Sequence, residues 1–128
     1  MHVELVSPER ILYSGDAEMV VCRTVGGGDI AFLADHTPFL GALEIGQVRI
    51  KASEGDDVAA AVHGGFVHVR DDQVIILSDV AELAGDIDAD RARRAKEAAE
   101  RNEIDADDAE ADAALRRANV RLELAGST

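Results

Sequence analysis

Cysteine is nearly absent: Cys22 stands alone, so there is neither an internal disulfide nor a cysteine-rich metal site. It lies in the alternating stretch Met19-Val20-Val21-Cys22-Arg23, where a thiol reads as a small buried hydrophobe rather than a nucleophile. Positive charge is also scarce. Thirteen Lys and Arg against 26 Asp and Glu leave a net charge of −13, which disfavours nucleic acid and anionic membrane surfaces, since both need a basic face. Long hydrophobic runs are missing as well. The longest stretch without a charged residue, Val58 to Val69, has 12 residues and two histidines. A bilayer span needs about 20 apolar residues, so no direct membrane insertion is expected. Glu4, Glu9 and Arg10 interrupt any apolar core of an export signal, and the chain is expected to be soluble and intracellular. Ser-His-Asp and Cys-His arrangements and a dinucleotide fingerprint are lacking too, which argues against an enzyme.

What is present divides into two unlike parts. At 128 residues the chain fits one domain, or one domain with an appendage. Residues 1–84 hold almost all the valine and all four aromatics (Tyr13, Phe32, Phe39, Phe66), with glycine at short intervals: β composition punctuated by turns. Alternating runs at His2–Val6, Ala17–Val25, Gln47–Lys51, Val58–His63, Phe66–Arg70 and Val74–Leu77 predict an antiparallel β-sandwich or flattened barrel. Asp71-Asp72 and Glu54-Gly55-Asp56-Asp57 read as hairpin turns within a meander. From residue 85 to 128 the composition turns to Ala, Arg, Glu and Asp, free of proline and without glycine between Gly85 and Gly126. Two helices follow from it, an α-helical hairpin with N-caps at Asp88 and Asp105. Ala92, Ala95 and Ala99 line one face of the first helix, and Ala111, Leu115, Ala118 and Leu122 one face of the second. A seam made mostly of methyl groups buries little apolar area, so the hairpin is expected to dock weakly.

Four segments carry a likeness: Val6-Ser7-Pro8-Glu9-Arg10-Ile11-Leu12-Tyr13-Ser14-Gly15, Gly28-Asp29-Ile30-Ala31-Phe32-Leu33-Ala34-Asp35-His36-Thr37-Pro38, His63-Gly64-Gly65-Phe66-Val67-His68-Val69 and Val74-Ile75-Ile76-Leu77-Ser78-Asp79-Val80-Ala81-Glu82. With Ile87-Asp88-Ala89-Asp90-Arg91-Ala92 and the helical hairpin after them, the chain resembles the epsilon subunit of bacterial F-type ATP synthase over nearly its whole length. It departs where that family usually has Gly (Ala31), Pro (Ala34) and often Pro-Gly (within Val25-Gly26-Gly27). The resemblance implies a noncatalytic central-stalk subunit. Its sandwich would bind the gamma subunit and the c-ring, coupling rotation to proton translocation. Its mobile hairpin would restrain ATP hydrolysis and meet the alpha and beta subunits when extended. The implied location is peripheral, on the cytoplasmic face of the bacterial plasma membrane.

The same resemblance implies site residues. Ile87-Asp88-Ala89-Asp90-Arg91-Ala92 matches the pattern by which many such subunits bind regulatory ATP with Mg between hairpin and sandwich, and Glu82 corresponds to a further position. The chemistry is reasonable: Asp88 can accept from the adenine amino group, and Arg91 can offset phosphate charge at a helix start. The plainer alternative is a helix-start ion pair between Asp88 and Arg91. ATP-binding members carry another arginine where Ala98 stands; Arg94, Arg101 and Arg121 are candidates to replace it. Asp29 and His36 fall on the family's c-ring and rotor edge, although composition alone makes Gly26–Pro38 an ordinary Gly-rich sheet corner. Arg116, Arg117 and Arg121 would contact the beta subunits in the extended state; the alternative is that they complement the helix dipole, as Asp105, Asp107, Asp108, Glu110 and Asp112 do at the other end.

Two other functions compete. One is a free-standing β-sandwich that senses nucleotide. The other, a calcium-responsive regulator, rests on Asp86, Asp88, Asp90 and Glu97, with Arg91 where a calcium loop needs glycine. No metal site is expected, the four histidines being scattered along the chain.

Overall fold

A computed structural model describes residues 1–102 and 109–125. Nine strands are followed by two helices: β1 (His2–Val6), β2 (Ile11–Thr24), β3 (Gly28–Leu33), β4 (Phe39–Ala42), β5 (Ile45–Ala52), β6 (Val58–His63), β7 (Phe66–Arg70), β8 (Gln73–Leu77), β9 (Ala81–Leu83), α1 (Ala89–Asn102) and α2 (Ala109–Leu124). A single 3-10 turn, Ala84–Asp86, joins β9 to the helices.

The strands form two layers that share β2. The first half of β2 pairs antiparallel with β1, in a layer ordered β4-β7-β8-β1-β2. Its second half pairs with β3 and β5, and β6 and β9 continue the other layer. Between the layers lies a core of Val3, Leu5, Val67, Val69, Val74 and Ile76 from one sheet and Val20, Cys22, Phe32, Val48, Ile50, Ala60 and Val62 from the other. Alternation produces it: in β1, β7 and β8 every second residue is buried.

The sandwich is the expected one, with three differences. β1 and β8 run parallel, so the sheet is mixed rather than a pure meander. Gly26–Pro38 is more than a sheet corner: Val25, Gly26 and Gly27 make a tight turn, and Gly28–Leu33 returns as β3 opposite β2. Positive φ at Gly26 and Gly28 makes that turn, and Phe32 then drives the strand into the core. β4 and β9 are short strands that carry too little alternation to be read locally. Asp71 and Asp72 do form the β7–β8 turn, both with positive φ (52° and 58°), the condition for a two-residue hairpin that follows sheet twist.

In the hairpin, Ala92, Ala99, Ala118, Val120 and Leu122 are buried. Ala95 leaves the expected seam and is exposed, because a helical step puts it about 60° away from Ala92. Asp88 caps α1, its Oδ1 accepting from the Arg91 N–H at 3.1 Å. The cap expected at Asp105, with Asp107 and Asp108, lies outside the described residues, as do the side chains of Glu110 and Ala111.

Phe32 is the largest of the fully buried side chains, and its ring meets Phe39 at 5.4 Å and His36 at 4.9 Å. Phe32→Ala is expected to cost about 3–5 kcal/mol in urea unfolding of the sandwich. A loss below about 1 kcal/mol would contradict this account of the core.

Candidate functional site

The strand register decides what the sandwich offers to the helices. In β6, Ala60 and Val62 point into the core, leaving Ala59, Ala61 and His63 on the outer face. Across the ladder these meet Arg49, Gln47 and Ile45 of β5, and Glu82 of β9 stands opposite Ala61. α2 packs over β5 and β6 on this face. Ala61 is completely buried although it lies outside the sandwich core, and its methyl group lets a helix come close.

Polar side chains then fasten the helix. Arg121 Nε donates to Glu82 Oε1 at 2.5 Å, in a pair about three-quarters buried on Arg121's side. The same carboxylate oxygen lies 3.3 Å from His63 Nε2. Gln47 Nε2 donates to Glu123 Oε2 at 2.9 Å, and Arg116 reaches Glu44 Oε2 at 3.4 Å and Asp112 one helical turn back. The His63 side chain is 3% exposed, and its Nδ1 has no hydrogen-bond partner among the described residues. Burial first, then the Arg121 charge, lower its pKa from the ordinary 6.5, and the bond to Glu82 acts in the opposite direction.

Beside this tie, a cavity of about 440 Å³ opens between β9, the 3-10 turn and the two helices. Its walls include Glu82, Asp86, Asp88, Arg91, Ala92 and Arg121. Its volume falls in the range of roughly 300–1,000 Å³ common for small-molecule sites. Of the five residues expected to bind ATP, Glu82, Asp88, Arg91 and Ala92 converge here, and half-buried Ile87 stands next to the cavity in sequence without lining it. Among the candidates to replace the missing arginine, Arg121 lines the cavity, whereas Arg94 and Arg101 do not. Asp88 uses its carboxylate on the backbone of α1 rather than on the Arg91 guanidinium, which makes no ion pair or hydrogen bond among the described residues. One cation is thus held by Glu82 and another is unspent.

The other expected residues lie apart. Asp29, at the start of β3, accepts from Arg23 Nε at 3.1 Å, whereas His36 follows the far end of the same strand and contacts the Thr37 carbonyl through Nδ1. Arg116 and Arg121 hold sandwich carboxylates, and Arg117 lies near enough to His63 to act on it electrostatically. Asp90 and Glu97 are on the continuous helix α1, where they cannot fold around an ion with Asp86 and Asp88 as a calcium loop would. Cys22 is fully buried, its thiol pushed up to about 12 by burial and then by Asp29, so it is inert. His63 and Glu44 were not legible as site residues. The available signal was the run Val58-Ala59-Ala60-Ala61-Val62, apolar on both parities, which marks a strand covered on both faces.

Fold and site define a β-sandwich with a docked helical pair and a polar cavity at their junction. Residues 1–84 match the family model of the ATP synthase delta/epsilon chain β-sandwich domain. The ATP synthase epsilon chain of Streptomyces griseus is 51% identical over 122 residues, 95% of this chain and 92% of that protein. The one from Thermobifida fusca is 45% identical over 128 residues, 98% of this chain and 91% of that protein. A chain in the cryo-EM structure of Euglena gracilis mitochondrial ATP synthase (OSCP/F1/c-ring) has the same fold, with a TM-score of 0.69 at 23% identity over 94% of this chain and 74% of that one. The protein belongs to the ATP synthase epsilon chain family.

Arg121→Ala removes the charge-assisted bond to Glu82, worth about 1.5–3 kcal/mol. Hydrogen exchange of the α2 amides should then speed up at least tenfold while β5 and β6 keep their protection. Unchanged α2 exchange would show that the pair does not hold the helix.

Proposed function

We infer that this chain is a noncatalytic stalk subunit of the proton-translocating ATP synthase, peripheral to the membrane on its cytoplasmic side. Its sandwich, residues 1–84, binds the gamma subunit and the c-ring and couples rotation to proton flow, with Asp29 and His36 on the ring-facing edge. Its hairpin, residues 85–128, regulates ATP hydrolysis by leaving the sandwich. Family membership over almost the full chain supports the stalk role against a free-standing nucleotide sensor.

For regulation, the observation that carries the reading is the convergence of Glu82, Asp88, Arg91, Ala92 and Arg121 on one cavity at the hinge between the two parts. ATP with Mg, bound there, would join sandwich to hairpin: the unspent Arg91 guanidinium and Arg121 meet phosphates, and the N-terminus of α1 adds its dipole. A ligand touching both parts favours the docked state by its differential affinity. When the hairpin extends, Arg116 and Arg121 lose Glu44 and Glu82, and with Arg117 they become a basic stripe for acidic loops of the beta subunits.

Two experiments test this. Tagged chain recovered from detergent-solubilised membranes should bring gamma, alpha, beta and c subunits in fixed stoichiometry; recovery alone from an extract with intact synthase would overturn the stalk role. In calorimetric titration with MgATP, Arg91→Ala should weaken binding about tenfold or more. Absence of binding by the unaltered chain at millimolar MgATP would refute the nucleotide site.

A further inference from the structure

Where α2 packs on β6, beside Glu82 of β9, His63 occupies a position that no nucleotide contact requires, and its surroundings are unusual. It is almost wholly enclosed and has three charged neighbours. From β9 comes Glu82, whose Oε1 is shared between His63 Nε2 and Arg121 Nε. From α2 come Arg117 and Arg121, and the residue opposite on β5 is the uncharged Ile45. The main-chain N–H of His63 is satisfied by the Val80 carbonyl at 3.0 Å, and the ring Nδ1 has no partner among the described residues.

With Nε2 donating to Glu82, neutral His63 presents a lone pair at Nδ1, and an enclosed acceptor without a partner is a modest cost. Protonation changes the balance in two ways. The new Nδ1–H becomes an enclosed donor of a cation with no acceptor among the described residues. The added charge also faces the Arg121 guanidinium on α2, and the Glu82 carboxylate at Nε2 already serves Arg121. Both effects disappear when α2 lifts away and water reaches the ring. We propose that His63 is a proton-operated release for the hairpin: its protonation drives α2 off the sandwich, so that acidification favours the extended hairpin without any nucleotide.

The direction follows from linkage. Docking holds the ring below its ordinary 6.5, so the docked state binds fewer protons than the released one. The docking constant is greatest above that ordinary value and falls by up to about tenfold per pH unit below it, until the docked ring is protonated too. Glu82, Glu44 and Glu123 also belong to the interface, and all three remain in His63→Gln, which separates their contribution from that of the ring.

The inference rests on the docking geometry alone and stands whether or not ATP binds. Full-length chain, free of nucleotide, is followed by NMR from about pH 8 to about pH 5, reading the His63 ring resonance and the exchange of α2 amides corrected for intrinsic rate. The expected result is a loss of α2 protection of about tenfold or more, with a midpoint below 6.5 that coincides with the ring's titration. His63→Gln keeps an amide donor for Glu82 but cannot become charged, and its α2 protection should stay flat over the same range. If that variant proves undocked at every pH, coincidence of the two midpoints in the unaltered chain decides the question. Protection that persists through ring protonation, or that falls equally in His63→Gln, overturns the proposal.

Discussion

Among the described residues, the most buried polar tie between hairpin and sandwich centres on the carboxylate of Glu82. Glu82 takes Arg121 from the helix and His63 from the neighbouring strand on the same oxygen, and it also forms part of the cavity wall. Removing the partner of a half-buried charge leaves it uncompensated, so this pair weighs more than an exposed ion pair and yet remains within reach of solvent ions and ligands. Gln47–Glu123 and Arg116–Glu44 add exposed ties of lesser weight.

The contrast between the two parts gives this tie its importance. The sandwich buries Phe32, leucine, isoleucine and many valines in one continuous core, with β2 passing through both sheets. Described burial in the hairpin comes from three alanines, a valine and a leucine. An alanine brings little apolar area, so at about 25 cal/mol per Å² polar contacts make up a large share of the docking energy. Polar contacts respond to pH, ionic strength and charged ligands; apolar ones do not. A part bound in this way can be detached while the rest stays folded, which is what a regulatory element needs.

Much of this was legible in the residues. The bounds of β1, β6 and β7 match the runs read from the sequence to the residue, and the Asp71-Asp72 turn and the Asp88 cap follow from local chemistry. β3 was hidden by its glycines, and the parallel pairing of β1 with β8 joins segments about 70 residues apart, which no local pattern encodes. At the cavity, Glu82, Asp88, Arg91 and Ala92 were named through family likeness, and of the three candidate arginines the geometry brings Arg121 to its wall. His63 escaped because a histidine at a strand end looks the same in sequence whether it meets water or a helix.

The most direct test of the account is the distance between α2 and the sandwich. Spin labels at Lys51→Cys on β5 and Asp112→Cys on α2, both exposed sites, report it; buried Cys22, with its thiol pushed up to about 12, stays unlabelled. A reversibly docked hairpin predicts two distance populations, the shorter one gaining with MgATP and the longer one gaining with Arg121→Ala. A single distribution that neither change moves would contradict it.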